Sequence, residues 1–175
     1  MEVVCVEYVG IYNLKLIKRE EKNGVKLFKA AVDSGKRALL VGVIGGKISE
    51  GISFNDDYGR VLLVVGLPFP NKIGNTALAE RMKLLDRENK GVGGNKYFTN
   101  LCVRALNQTL GRIIRHRDDY GAIILADSRA ETLTQALPSW VSRQMMKTNS
   151  TQEVGDLIGN FLEEKRRLSL LPKKD

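Results

Sequence analysis

Three short, nearly continuous apolar runs, 38–44, 60–66 and 122–127, constrain the fold of this chain more than any other feature. Each is bounded by Gly, Asp or Pro. A strand with one face in water alternates apolar and polar residues. A run that is apolar at successive positions needs cover on both faces, as in a parallel sheet wrapped by helices. A fourth run, 3–9 (VVCVEYV), joins them although Glu7 interrupts it. Between and after the runs the apolar spacing turns helical. Residues 24–34 place Val25, Leu27, Phe28, Ala31 and Val32 along one side, and 76–87 carry Leu78, Met82 and Leu85. A long helix is predicted over 97–115, ending near the turn Asp118-Asp119-Tyr120-Gly121. Ser150 followed by Glu153 fits a capping box for a last helix that repeats Val154, Leu157, Ile158, Phe161 and Leu162. That helix is expected to stop before Pro172, leaving Lys173 and Lys174 solvated. Strands alternating with helices predict a mainly parallel α/β sheet with functional loops at the strands' carboxyl ends.

A chain of 175 residues supports one domain with a proper core, so 1–175 reads as a single unit. With 43% hydrophobic and 27% charged residues it reads as an ordinary soluble globular protein. A formal charge of +8 and a pI near 9.6 favour a polyanionic partner. Cys5 and Cys102 lie too far apart in sequence to suggest a disulfide framework or a metal cluster, which suits a reducing compartment. No apolar run reaches membrane-spanning length, and Met1-Glu2 lacks the basic flank of a signal peptide. The expectation is an intracellular chain with no membrane partner and no metal.

The stretch 108–116 (QTLGRIIRH) carries the most chemistry. On a helix Gln108, Arg112 and Arg115 share one side, while Leu106, Leu110, Ile113 and Ile114 fall on the other. A row of guanidiniums with a glycine between them suits a phosphate chain whose charge changes during reaction, although a solvated basic face has the same pattern. The run 38–44 leads into 45–54 (GGKISEGISF), where glycines followed by Lys47 and Ser49 resemble a phosphate loop. This is not a Walker A motif. Val41 stands where the first Gly is required and Ile48 where Ser or Thr would hold magnesium, and a plain strand-to-helix turn accounts for the glycines equally well. The glycines of 91–94 read as a surface loop, and His116, the single histidine, as structural or exposed. Cys102 and Trp140 read as packing residues. Asp127 and Arg129 stand at a carboxyl strand end, placed either for a site or for pairing with each other.

Taken in order, these blocks resemble the second RecA-like motor domain of the XPD-like iron–sulfur superfamily 2 DNA helicases. The nearest branch holds the Fanconi anaemia group J, telomere-length regulator and chromosome-loss helicases. Residues 45–54 resemble motif V and 108–115 motif VI; DDYGRVLLVVGLPFPN from Asp56, RALNQTLGRIIRHRDDYGAIILADSR from Arg104 and LPSWV from Leu137 recur at matching intervals. The resemblance covers roughly 24–168, and the first twenty or so residues match poorly.

The resemblance implies a RecA-like fold and a nuclear, ATP-dependent DNA helicase of DNA repair. It makes Arg112 and Arg115 catalytic, acting on ATP held mainly by a first motor domain. Gln108, Gly111, Glu50 and Gly51 then contact the nucleotide, and Lys47 and Ser49 the backbone of single-stranded DNA. Ser53 departs from the Asp or Asn common at that position, so no nucleotide contact is carried over to it. This chain has no Walker A motif, DEAH box or four-cysteine cluster. By the resemblance ATP, Mg2+ and an iron–sulfur cluster belong mainly to the absent first half. The expectation is one half of a two-domain motor, or a catalytically incomplete remnant that binds nucleic acid.

Overall fold

The computed structural model describes residues 2–6, 21–46, 54, 56–114, 116 and 119–169, with side chains from residue 24 onward. Its centre is a parallel sheet of four strands: β1 (Glu2–Val6), β2 (Val61–Val65), β3 (Ala122–Ala126) and β4 (Met145–Thr148). They lie in the order β2-β3-β1-β4. Val61 sits opposite Ala122, which is also in register with Glu2, and Val3 pairs with Met145. The apolar runs explain the central position of β3, in which Ala122, Ile123 and Leu125 are fully buried. Such a strand is covered above and below, as a parallel arrangement requires.

Alternation along the strands divides the core. Ile123, Leu125 and Val64 face a large cluster with Cys102, Val103, Leu106 and Leu110 of one helix and with Leu133, Leu137 and Val141. Ile124 and the half-buried Leu63 face the other way, toward Val154, Leu157 and Ile158. The helices are α1 (Glu21–Asp33), α2 (Thr76–Glu88), α3 (Gly93–Leu110), α4 (Ser139–Ser142) and α5 (Thr151–Ser169). Helices on both faces of a small parallel sheet make this an α/β, RecA-like fold.

Three expectations are corrected. The segment 38–44 is not a strand; it pairs with no strand among the described residues, and Leu39, Val41 and Val43 are 62%, 56% and 79% exposed. Apolar content alone does not make a strand, which needs a neighbour to take its backbone hydrogen bonds. The fourth strand is instead β4 (MMKT), short and half polar, hidden from a search for apolar runs because it lies at the sheet's edge. Trp140 is 39% exposed, and the anchor of that segment is its neighbour Val141, at 0%.

The glycines of 93–94 open α3 rather than forming a loop. A Cβ on Gly94 would stand 2.6 Å from the Met82 carbonyl oxygen, so only glycine lets α3 approach α2 this closely. The Asp86 carboxylate accepts the Gly94 N–H at 2.8 Å, supplying a partner for a helix-terminal donor. At the capping box before α5, the Glu153 N–H donates to Ser150 Oγ at 3.2 Å as predicted, while the Glu153 carboxylate pairs with the Thr148 hydroxyl. No described helix is long and apolar enough to cross a membrane.

Candidate functional site

Helix α3 was expected to run through Arg115, but it ends at Leu110. The Gly111 N–H still reaches the Asn107 and Thr109 carbonyls, after which Arg112 N–H bonds Thr109 O at 3.2 Å and Ile113 N–H bonds Leu110 O at 3.4 Å. These tighter bonds wind the chain off the helix. Arg112 therefore leaves on a turn rather than in line above exposed Gln108. Leu106, Leu110 and Ile113 are buried as the spacing predicts, and Ile114 is half-buried. Arg112 is half-buried and is not without a partner. Lys47, Ser49, Glu50, Gly51, Ser53 and Arg115 lie outside the described residues.

Because β2 and β3 are parallel, the chain must return from one end of the sheet to the other between them. The exit of α3 consequently lies at the amino ends of these strands, not at the carboxyl ends where the functional loops were expected. Close packing marks the place: a Cβ on Gly121 would stand 2.6 Å from Ile113 Cγ2 and 3.1 Å from Gly59 O. Gly59 belongs to the stretch that follows residues 45–54. Phe54, the last residue of that block, packs edge-on to Phe28 of α1 at 6.1 Å. The segments that follow the two sequence blocks thus meet at the amino ends of β2 and β3.

Arg60 holds them together. Its Nη1 donates to Asp119 Oδ1 at 2.9 Å and to the Tyr120 carbonyl at 2.8 Å, and its Nε to Asp57 Oδ1 at 3.2 Å. The guanidinium lies 3.9 Å from the Tyr120 ring centroid, and Tyr120 meets Phe161 of α5 edge-on at 6.3 Å. The Asp119 side chain is wholly buried and also accepts the Tyr120 N–H at 2.9 Å. A buried carboxylate is tolerated when paired and hydrogen-bonded in this way. Sequence reading missed Arg60; the signal was an arginine at the mouth of an otherwise apolar run.

His116 is exposed, as expected, and its Nε2 lies 3.1 Å from Asp56 Oδ1. Donor atoms of Asp56, His116 and Asp119 fall within 4.8 Å of one another. The Asp119 carboxylate is already engaged by the Arg60 cation, which opposes a metal ion at the same place. The chemistry of the cluster is that of a charge clasp.

At the opposite end of the sheet, Asp127 and Arg129 pair with each other, the alternative left open above. Arg129 reaches both carboxylate oxygens, at 2.9 and 2.6 Å, while the Leu67 N–H donates to Oδ2 at 2.8 Å. The Arg129 side chain, followed by burial acting in opposition and by the backbone N–H groups of Arg129 and Leu67, leaves this carboxyl far below the usual carboxylate range. The pair ties the end of β2 to the end of β3. Asp127→Ala is expected to cost about 2 kcal/mol at neutral pH, the scale of lost hydrogen bonds to a charged group. A depressed folded-state pKa stabilises the fold above the unfolded value, about 3.9, and that contribution fades as pH falls below it. Urea melts of the two proteins should therefore begin to approach each other below about pH 4 and meet only as pH falls through the much lower folded-state value; a constant difference would mean the ion pair is not its source. Cys102, buried in the core as expected, has its thiol pushed up to about 11 by burial. It is therefore a packing residue.

The sequence model of the helicase C-terminal domain matches residues 9–144. The chain is 47% identical over 116 residues to the ATP-dependent DNA helicase chl-1 of Caenorhabditis elegans, covering 65% of this chain and 14% of the relative. It is 41% identical over 126 residues to the ATP-dependent DNA helicase chl1 of Schizosaccharomyces pombe, covering 67% and 15%. With the ATP-dependent DNA helicase DDX11 of Danio rerio it shares 43% over 143 residues, covering 76% and 16%. The chain thus spans 14% to 16% of the length of these relatives.

Proposed function

The chain belongs to the helicase C-terminal domain family, and from that membership we propose that it is the C-terminal motor half of an ATP-dependent DNA helicase. Arg112 and Arg115 serve as the cations that stabilise charge developing on the γ-phosphate of ATP, with Mg2+ and most of the nucleotide held by a first motor domain. Gln108, Gly111, Glu50 and Gly51 line the nucleotide beside them, and Lys47 and Ser49 contact the backbone of single-stranded DNA. The family match over residues 9–144 carries this reading, and the clasp at the amino ends of β2 and β3, where Asp56 meets His116 and Arg60 meets Asp119, fits it. The clasp joins the segment after the proposed DNA-contacting block to the segment after the proposed ATP-contacting block, so displacement of one loads the other.

The test is reassembly. This chain mixed with a separately produced first motor domain of a relative such as chl-1 should hydrolyse ATP in response to single-stranded DNA, and neither part should do so alone. A mixture that forms a stable complex yet stays inert sinks the motor reading. The remaining possibility is then a chain that binds nucleic acid without hydrolysis, which its +8 charge favours.

A further inference from the structure

We propose that the surface formed by the loop after β2, the start of α3 and one side of α2 is a second contact for single-stranded nucleic acid, separate from Lys47 and Ser49. It rests on the reading of the chain as a DNA-helicase motor domain. The surface lies at the carboxyl ends of β2 and β3, the end of an open α/β sheet where ligands generally bind.

Its core is a ladder of four side chains. Phe69, just past β2, stacks on Phe98 of α3 with centroids 5.1 Å apart and planes 20° from parallel. Lys72 Nζ caps the Phe98 side at 3.9 Å from the ring centroid, and the Arg129 guanidinium caps the Phe69 side at 5.2 Å. The two cations differ in one respect. Arg129 is paired with Asp127, whereas no carboxylate among the described residues pairs with Lys72. The ring holds the ammonium in place without neutralising it. A lysine already held surrenders less side-chain freedom on meeting a phosphate than a freely rotating one.

Lys72 and exposed Lys83 also line an open groove of about 280 Å³ together with Leu78, Ala79 and Met82. The acid in that groove, Asp86, is turned to the α3 N-terminus, where it caps Gly94. Two lysines beside one groove suit a strand with regularly spaced phosphates. The net charge of the chain favours the same polyanion.

The experiment follows fluorescence anisotropy of a labelled oligothymidine across a salt series, for the wild-type chain and for Lys72→Met/Lys83→Met. Methionine keeps the apolar stems and removes only the charges. Two lost phosphate contacts should weaken binding about tenfold at low salt and flatten the slope of log affinity against log salt by about 1.4. Unchanged affinity and slope in the variant overturn the proposal and leave the motor reading intact, because that reading is judged by ATP turnover in the reassembled enzyme. Failure of the wild-type chain to bind the oligonucleotide overturns it too. So does a polyglutamate peptide that binds the wild-type chain while the oligonucleotide does not, which would make the surface a protein interface.

Discussion

Arg112→Ala is expected to lower ATP turnover of the reassembled two-domain enzyme by about 10³- to 10⁵-fold, the range over which a single transition-state arginine acts in phosphoryl transfer. The fold should survive, because Arg112 stands on the turn after α3 rather than in the core that Leu106 and Leu110 fill. Its backbone bond to Thr109 O does not depend on the side chain. Arg112→Lys should fail nearly as badly. An ammonium restores the charge but not the planar fork that matches two phosphate oxygens at once. Steady-state turnover with saturating DNA, beside a thermal melt of each variant, separates lost chemistry from lost folding. Near-normal turnover in Arg112→Ala would remove this residue from the proposed machinery.

Leu106→Ala is expected to cost about 2–5 kcal/mol, the measured span for leucine truncation in a packed interior. Leu106 is 0% exposed and belongs to the cluster that joins α3 to Ile123 and Leu125 of the sheet and to Val141 of α4. Domains are stable by only about 5–15 kcal/mol, so this one change removes a large share of the total. Gln108→Ala, two positions along and exposed, should shift stability by no more than about 0.5 kcal/mol. Urea denaturation of both variants checks the contrast directly. Comparable losses would mean that α3 is not docked by the face assigned here.

The pattern of the chain reached a good part of this arrangement. Leu106, Leu110 and Ile113 point inward because helical spacing puts them on one stripe, and the shape of that stripe is local. The same holds for the Ser150 cap and for the buried centre of β3. The match of the motif blocks, in order, led to the family. Where α3 stops was not legible, because the sequence pattern continues past Leu110 while the backbone turns away to reach β3. Nor was the place of the α3 exit, at the amino rather than the carboxyl ends of the strands.

What the sequence by itself determined, then, is periodicity and chemistry: which faces are apolar, which residues carry charge, and to which family their order belongs. Those properties reside in neighbouring residues and need no partner. The tertiary structure alone decided the pairings. It put Arg60 on Asp119, closed Asp127 on Arg129, stacked Phe69 against Phe98, and left 38–44 without a strand neighbour while recruiting the half-polar MMKT as β4. Apart from the Asp127–Arg129 pair, whose members stand two positions apart, each of these depends on a group about 30 to 60 positions away or on a neighbouring strand. A hydrogen bond or ring contact acts over a few ångströms of space, however far apart its partners stand in the chain.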